Sequence, residues 1–159
     1  MNLDYNLYKR ISDQIKGDLE NHDEVEWYQY SYKIYVSHNL DSIDDFWKVV
    51  AFAYSWMPTI PTIYYKKIKG KEDRLFSELR KLKQGKGDIP WLFNTLTPII
   101  NNSVVGTSKV LHFIAPDSVP IYDSRVISAW SKLFKSDKKL RLQFKSGGDI
   151  GKVLFYVEK

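Results

Sequence analysis

Cysteine is absent from all 159 residues. Disulfides, thiolate metal sites, a Cys-ligated iron–sulfur cluster and cysteine nucleophilic catalysis are therefore excluded. Histidine is scarce, and His22, His38 and His112 are too scattered in sequence to suggest a metal site. No cofactor is expected. Long apolar runs are missing too: the longest stretch, 49–61, is interrupted by Ser55, Thr59, Pro58 and Pro61 and is too short to span a bilayer. Residues 1–16 alternate charged and apolar positions and do not resemble a signal peptide. These absences lead to the expectation of a cytoplasmic protein with no membrane partner. No internal repeat or low-complexity linker interrupts the chain, and a single domain over 1–159 is the simplest organisation.

What the sequence does have is aromatic and basic. Aromatic residues reach 15%, and hydrophobic residues 43% against 27% charged, a globular balance. The formal net charge is +5, which favours a polyanionic partner. The charge is concentrated. Lys66, Lys67, Lys69, Lys71, Arg74, Arg80, Lys81, Lys83 and Lys86 face only Glu72, Asp73 and Glu78 over 64–86, and a second basic group lies at 132–145. The first 45 residues are acidic by contrast.

Periodicity predicts a mainly α fold. Leu3, Leu7, Ile11, Ile15 and Leu19 recur every four residues, one face of an amphipathic helix. Residues 25–36 fit either a strand by alternation or a helix packed on both sides. Ser42 is a good N-cap, with Asp44 and Asp45 in the first turn of a helix that is apolar on nearly all sides to Trp56. The helix at 42–57 is therefore expected to be the most buried, stopped by Pro58. A basic amphipathic helix follows, ended by the Gly85–Lys86–Gly87 run. Another runs from Trp91 to Ile100 and breaks at Asn101, Asn102 and Ser103. Gly106 and Thr107 open the next, which Pro116 stops. Asp123 or Ser124 caps a helix through Phe134. Residues 140–144 and 153–157 suggest a short C-terminal β-hairpin.

The informative segment is 97–130: helix, tight polar turn, helix, proline-bounded connector, then an aspartate at a helix start. A hairpin between two helices presents backbone N–H groups and a helix N-terminus outward, a device that grips phosphate without reading sequence. Thr107 and Ser108 add hydroxyl donors and Lys109 a charge.

This segment resembles the helix-hairpin-helix DNA glycosylase superfamily over about a quarter of the chain. Val105–Gly106–Thr107–Ser108–Lys109 lies over the family's hairpin and lysine, and Pro120–Ile121–Tyr122–Asp123 over its proline and catalytic aspartate. The sequence departs from the pattern in three ways. Val105 stands where the first hairpin glycine is expected, Gly106 is one residue too far from Lys109, and the Lys109-to-Asp123 separation is several residues short. The resemblance implies excision of a modified base from DNA. An ionised Asp123 would stabilise the oxocarbenium-like sugar and position water. A neutral Lys109 amine would offer a second route through a Schiff base. It also implies flipping of the target base into an aromatic pocket, for which Trp27, Tyr28, Tyr30, Trp47, Tyr54 and Trp91 are available. Gly106, Thr107, Ser108, Arg125, Lys66 and Lys67 would hold the DNA backbone, largely independent of sequence, and the protein would act as a monomer. With the small size, the resemblance implies a stand-alone bacterial glycosylase acting on modified phage DNA.

Each residue has a plainer role open to it. Asp123 can be a helix cap, Lys109 a solvated lysine, His112 a core histidine, Arg125 a surface charge, and the aromatics core. The contrasting function is a non-catalytic helix-hairpin-helix module that only grips the DNA backbone.

Overall fold

The structure, a computed structural model, describes residues 6, 9, 10, 13, 23–36, 38–133 and 149–157. The chain divides into two compact units, Met1–Ser37 and His38–Lys159. In the first, α1 spans Asp23–Val36, so the aromatic stretch left open between strand and helix is helical. The amphipathic helix expected at 3–21 falls mostly outside the described residues.

The second unit contains α2 (Ile43–Ser55), a 3-10 turn (Tyr65–Lys67), α3 (Glu72–Lys83), α4 (Ile89–Leu96), α5 (Val104–Ile114), α6 (Ser124–Leu133) and α7 (Asp149–Val157). No strand occurs among the described residues, only one antiparallel bridge between Ile63 and Ile100.

Local chemistry sets the helix starts. Ser42 caps α2 reciprocally: its hydroxyl accepts from Asp45 N–H at 3.2 Å, and Asp45 Oδ2 accepts from Ser42 N–H at 2.9 Å. The bond from Lys48, then that from Ser42, holds the Asp45 carboxyl well below the usual carboxylate range. Asp88 caps α4 by accepting from Trp91 N–H at 3.0 Å, with Pro90 in the first turn. Glu78 on α3 is buried. One of its oxygens accepts from Lys81 Nζ at 2.8 Å and the other from Asp88 N–H at 2.9 Å, which ties the α3–α4 loop to α3.

The hub of the unit is α5, which packs against α2, α3, α4 and α7. Seven of its 11 residues are buried, against six of 13 in α2. This corrects the expectation that 42–57 is the most buried helix. Lys48, Ala51 and Ser55 leave one side of α2 exposed. The small residues Gly106, Thr107 and Ser108 let neighbours surround α5. Edge-to-face contacts join the two helices: Phe113 meets Phe52 at 4.9 Å and Trp56 at 5.0 Å between ring centroids.

Two further boundaries differ from the sequence reading. The helix expected to reach Ile100 ends at Leu96, because Pro98 has no N–H to continue the ladder. The amides of Ile99 and Ile100 both turn back to Leu96 O, at 2.9 and 2.8 Å. Residues 153–157 belong to α7, not to a hairpin strand. Ile150, Val153, Leu154 and Val157 recur at helical spacing, and Val153 is fully buried. The partner stretch, 140–144, lies outside the described residues.

The tightest packing in the hub is at Gly106. A Cβ built there would lie 2.3 Å from Tyr54 Oη and 3.0 Å from Tyr54 Cζ. Alanine normally gains about 1 kcal/mol over glycine inside a helix, but an overpacked core loses about 1–3 kcal/mol. Gly106→Ala is expected to destabilise the protein on urea denaturation. The buried Tyr54 hydroxyl makes no hydrogen bond of good geometry among the described residues, with Asn101 and Ser103 near it, so Tyr54→Phe alone is expected to cost little. Combined with Gly106→Ala it should recover most of the loss. Equal costs of Gly106→Ala in both backgrounds would refute this contact.

Candidate functional site

The hairpin turn is built from asparagine. Asn101 (φ 53°) and Asn102 (φ 50°) both adopt the left-handed conformation, which asparagine tolerates better than most residues. Ser103 then caps α5, its hydroxyl accepting from Gly106 N–H at 3.0 Å. The helix therefore starts at Val104, before the expected opening at Gly106–Thr107, and Gly106 is an interior packing residue.

This placement corrects three expected DNA contacts. Gly106 is buried against Tyr54, and Thr107 and Ser108 are fully buried. Their hydroxyls point into the protein and offer no donor to a phosphate. The amides of Gly106 and Thr107 are both taken up by Ser103.

Ser108 instead holds the connector in place. Its Oγ accepts from Tyr122 N–H at 3.0 Å and donates between Val105 O at 2.8 Å and Tyr122 O at 3.1 Å. Both backbone groups of the residue before Asp123 are thus clamped to α5. A second pin lies upstream, where His112 Nδ1 donates to Val119 O at 2.7 Å. Burial lowers the His112 pKa from its usual value, which favours the neutral ring. The plainer reading of His112, a satisfied structural histidine, is the one its contacts match.

Between these pins, Asp123 opens α6. Its Oδ1 accepts from Arg125 N–H and Val126 N–H, each at 2.9 Å, so two amides and the positive end of the helix complement its charge. Lys109 is half-buried on α5. Burial pushes its amine below the usual lysine value, with Arg125 adding to the effect and the Asp123 carboxylate opposing it. Lys109, Asp123 and Arg125 therefore share one electrostatic neighbourhood. Burial favours the neutral amine that a lysine nucleophile needs, and the carboxylate opposes it. Tyr122 is buried, and its hydroxyl has no partner among the described residues. Burial, helped by the charge of Asp149, pushes its pKa up to about 12.

The expected aromatic pocket is not assembled by the described contacts. Trp47 is half-buried between Phe46 and Tyr65, at 4.9 and 5.9 Å. Trp91 carries the Arg74 guanidinium 4.3 Å above its ring. Tyr30 is exposed on α1, and the side chains of Trp27 and Tyr28 lie outside the described residues. Two surface depressions lined wholly by described residues are a largely apolar one of about 460 Å³ beside Tyr54, Met57, Pro58 and Ile60, and one of about 320 Å³ along α3. Neither includes Lys109, Asp123, Trp47 or Trp91. Lys66, Lys67 and Arg125 are exposed, as a phosphate contact requires. Among the described residues no group of histidines and carboxylates could hold a metal ion, and no helix is long and apolar enough to cross a membrane.

The Ser108 clamp is hidden in the sequence because a Thr-Ser pair after a glycine looks like a solvent-facing turn. The available signal was the glycine itself, since a helix-interior glycine often marks close packing. Ser108→Ala would leave the buried Tyr122 N–H without an acceptor, at a cost of about 1–3 kcal/mol. We expect that loss on chemical denaturation, together with faster amide exchange at Tyr122. Unchanged exchange would exclude the clamp. No protein-family model, no curated protein and no solved structure matches this chain.

Proposed function

We propose that this protein is a DNA glycosylase that excises a modified base, with Asp123 and Lys109 at its centre. The observation that carries the reading is a carboxylate fixed at a helix N-terminus directly after the Ser108–Tyr122 clamp, with the half-buried Lys109 next to Ser108 on α5. As the base departs, positive charge builds on the sugar. A fixed anion lowers that barrier more than it stabilises the substrate. The base leaves with the electron pair of the N-glycosidic bond; water then adds to the anomeric carbon, and its proton passes by way of the Asp123 carboxylate to the departed base. Lys109 supplies the alternative nucleophile: its amine attacks the anomeric carbon, the base leaves, and the sugar ring opens to a Schiff base. Exposed Lys66, Lys67 and Arg125 hold the phosphates.

One observation favours a second reading. Both bonds of Asp123 Oδ1 go to amides of its own helix, as a pure cap would make. On that reading the chain is a non-catalytic module gripping the DNA backbone.

The assay that separates them is release of free base from modified DNA, including DNA with hydroxymethylated or glucosylated cytosine. Asp123→Asn keeps the cap and removes the charge. It is expected to fold normally, bind DNA as well or better, and lose base release by about a hundredfold or more. Equal release by parent and variant would make Asp123 a cap only.

Borohydride tests the lysine. A trapped covalent adduct that disappears in Lys109→Ala identifies the nucleophile. Only the neutral amine attacks, so trapping should increase as pH rises through the lowered lysine pKa. Base release without trapping would reduce Lys109 to a phosphate contact.

DNA affinity should fall steeply with salt, each phosphate neutralised on a duplex adding about 0.9 to the logarithmic slope. A flat salt response would remove both readings.

A further inference from the structure

Ile60, Tyr64 and Tyr65 are 92%, 44% and 58% exposed, three large apolar side chains within six residues of chain. Single exposed apolar residues need no explanation, but a cluster marks an interaction surface. Lys66, Lys67, Lys69 and Lys71 follow at once, all exposed. The segment is also held rigidly. Tyr64 N–H donates to Ile99 O at 2.9 Å, and Asn101 N–H donates to Thr62 O at 2.8 Å. Ile63 bridges Ile100, and the 3-10 turn fixes Tyr65–Lys67. Both rings are braced from one side. Trp47 backs Tyr65 at 5.9 Å, while the Lys67 ammonium lies 4.5 Å from the Tyr64 ring centroid and also donates to Pro98 O at 3.2 Å.

We infer that residues 60–71 form a stacking platform for an unpaired nucleic-acid strand. Exposed rings followed by ammonium groups match a ligand that alternates flat bases with phosphates. In a duplex the base faces are covered by their neighbours, so only an unpaired or splayed strand offers them to tyrosine. Because the platform is already ordered, binding costs little backbone entropy. A bilayer fits less well. Even with the apolar depression that Ile60 shares with Met57 and Pro58, the two phenols and the run of lysines after them do not make the extended apolar face that an interfacial anchor needs.

The inference rests on the nucleic-acid-binding half of the proposed function and is independent of Asp123 chemistry. It is tested by fluorescence anisotropy with a short labelled single strand and the same sequence as a duplex. Tyr64→Ala and Tyr65→Ala are each expected to weaken single-strand binding by about fivefold to a hundredfold. Duplex binding and the salt slope should hardly change. Tyr64→Phe and Tyr65→Phe keep the ring face and should bind like the parent. Lys66→Ala should lower the single-strand salt slope by about 0.7. Both tyrosine positions are on the surface, and circular dichroism checks that each of the four variants is folded.

Unchanged single-strand affinity in both alanine variants overturns the platform, as does equal loss in the phenylalanine variants. Capture by anionic phosphatidylglycerol vesicles that compete with the strand overturns it in favour of a membrane surface. The two proposals fail separately. Duplex binding and base release with no tyrosine dependence would leave the glycosylase and remove the platform. Tyrosine-dependent strand binding without base release would do the reverse.

Discussion

Close approach of α2 and α5 at Gly106 is the constraint on which the second unit depends. A helix that meets neighbours on several sides must be slim where they converge, and the Gly106–Thr107–Ser108 run makes α5 slim there. The gain is dense packing of Phe52, Trp56 and Phe113 against one another. The cost is a buried Tyr54 hydroxyl that has Asn101 and Ser103 as polar neighbours but no hydrogen bond of good geometry among the described residues, which sacrifices solvation for shape.

The same helix organises the candidate site. Ser108 and Lys109 are adjacent on α5 but have opposite fates. Ser108 faces inward and fixes the backbone at Tyr122; Lys109 is half-buried, and the charge of the residue after Tyr122, Asp123, acts on its amine. One turn of helix thus sets both the position of the carboxylate and the solvation of the amine. Neither group is independent of core packing, so core substitutions far from the site would shift its electrostatics.

Features with local causes were legible in the sequence. The Ser42 cap, the basic amphipathic α3 and the aspartate opening α6 each depend on neighbours within one or two turns. The hub was not legible, because burial of α5 is set by helices distant in sequence and its small polar residues mimic a surface. The C-terminal segment was misread because the apolar residues at 153–157 are too few to separate helix from strand by periodicity. The break at Asn101–Ser103 is legible, but the next helix starts at Val104 and not at Gly106–Thr107, because Ser103 supplies the cap. Tyr64 and Tyr65 passed unremarked, since exposure of an aromatic depends on what the rest of the chain leaves uncovered.

The asparagine turn also bears on how the chain finds its fold. Two successive left-handed asparagines are uphill in isolation, and this turn is held by Thr62 and by the Ile63–Ile100 bridge, both contributed from well upstream. The helix–turn–helix at 89–114 is compact in sequence and has local bonds of its own, such as Ser103 N–H to Ile100 O, yet its turn is also held from Thr62 and Ile63. Loop closure must precede complete order at the turn. The region most like a self-contained motif would then be among the last to lock, arriving with the long-range contacts instead of seeding them.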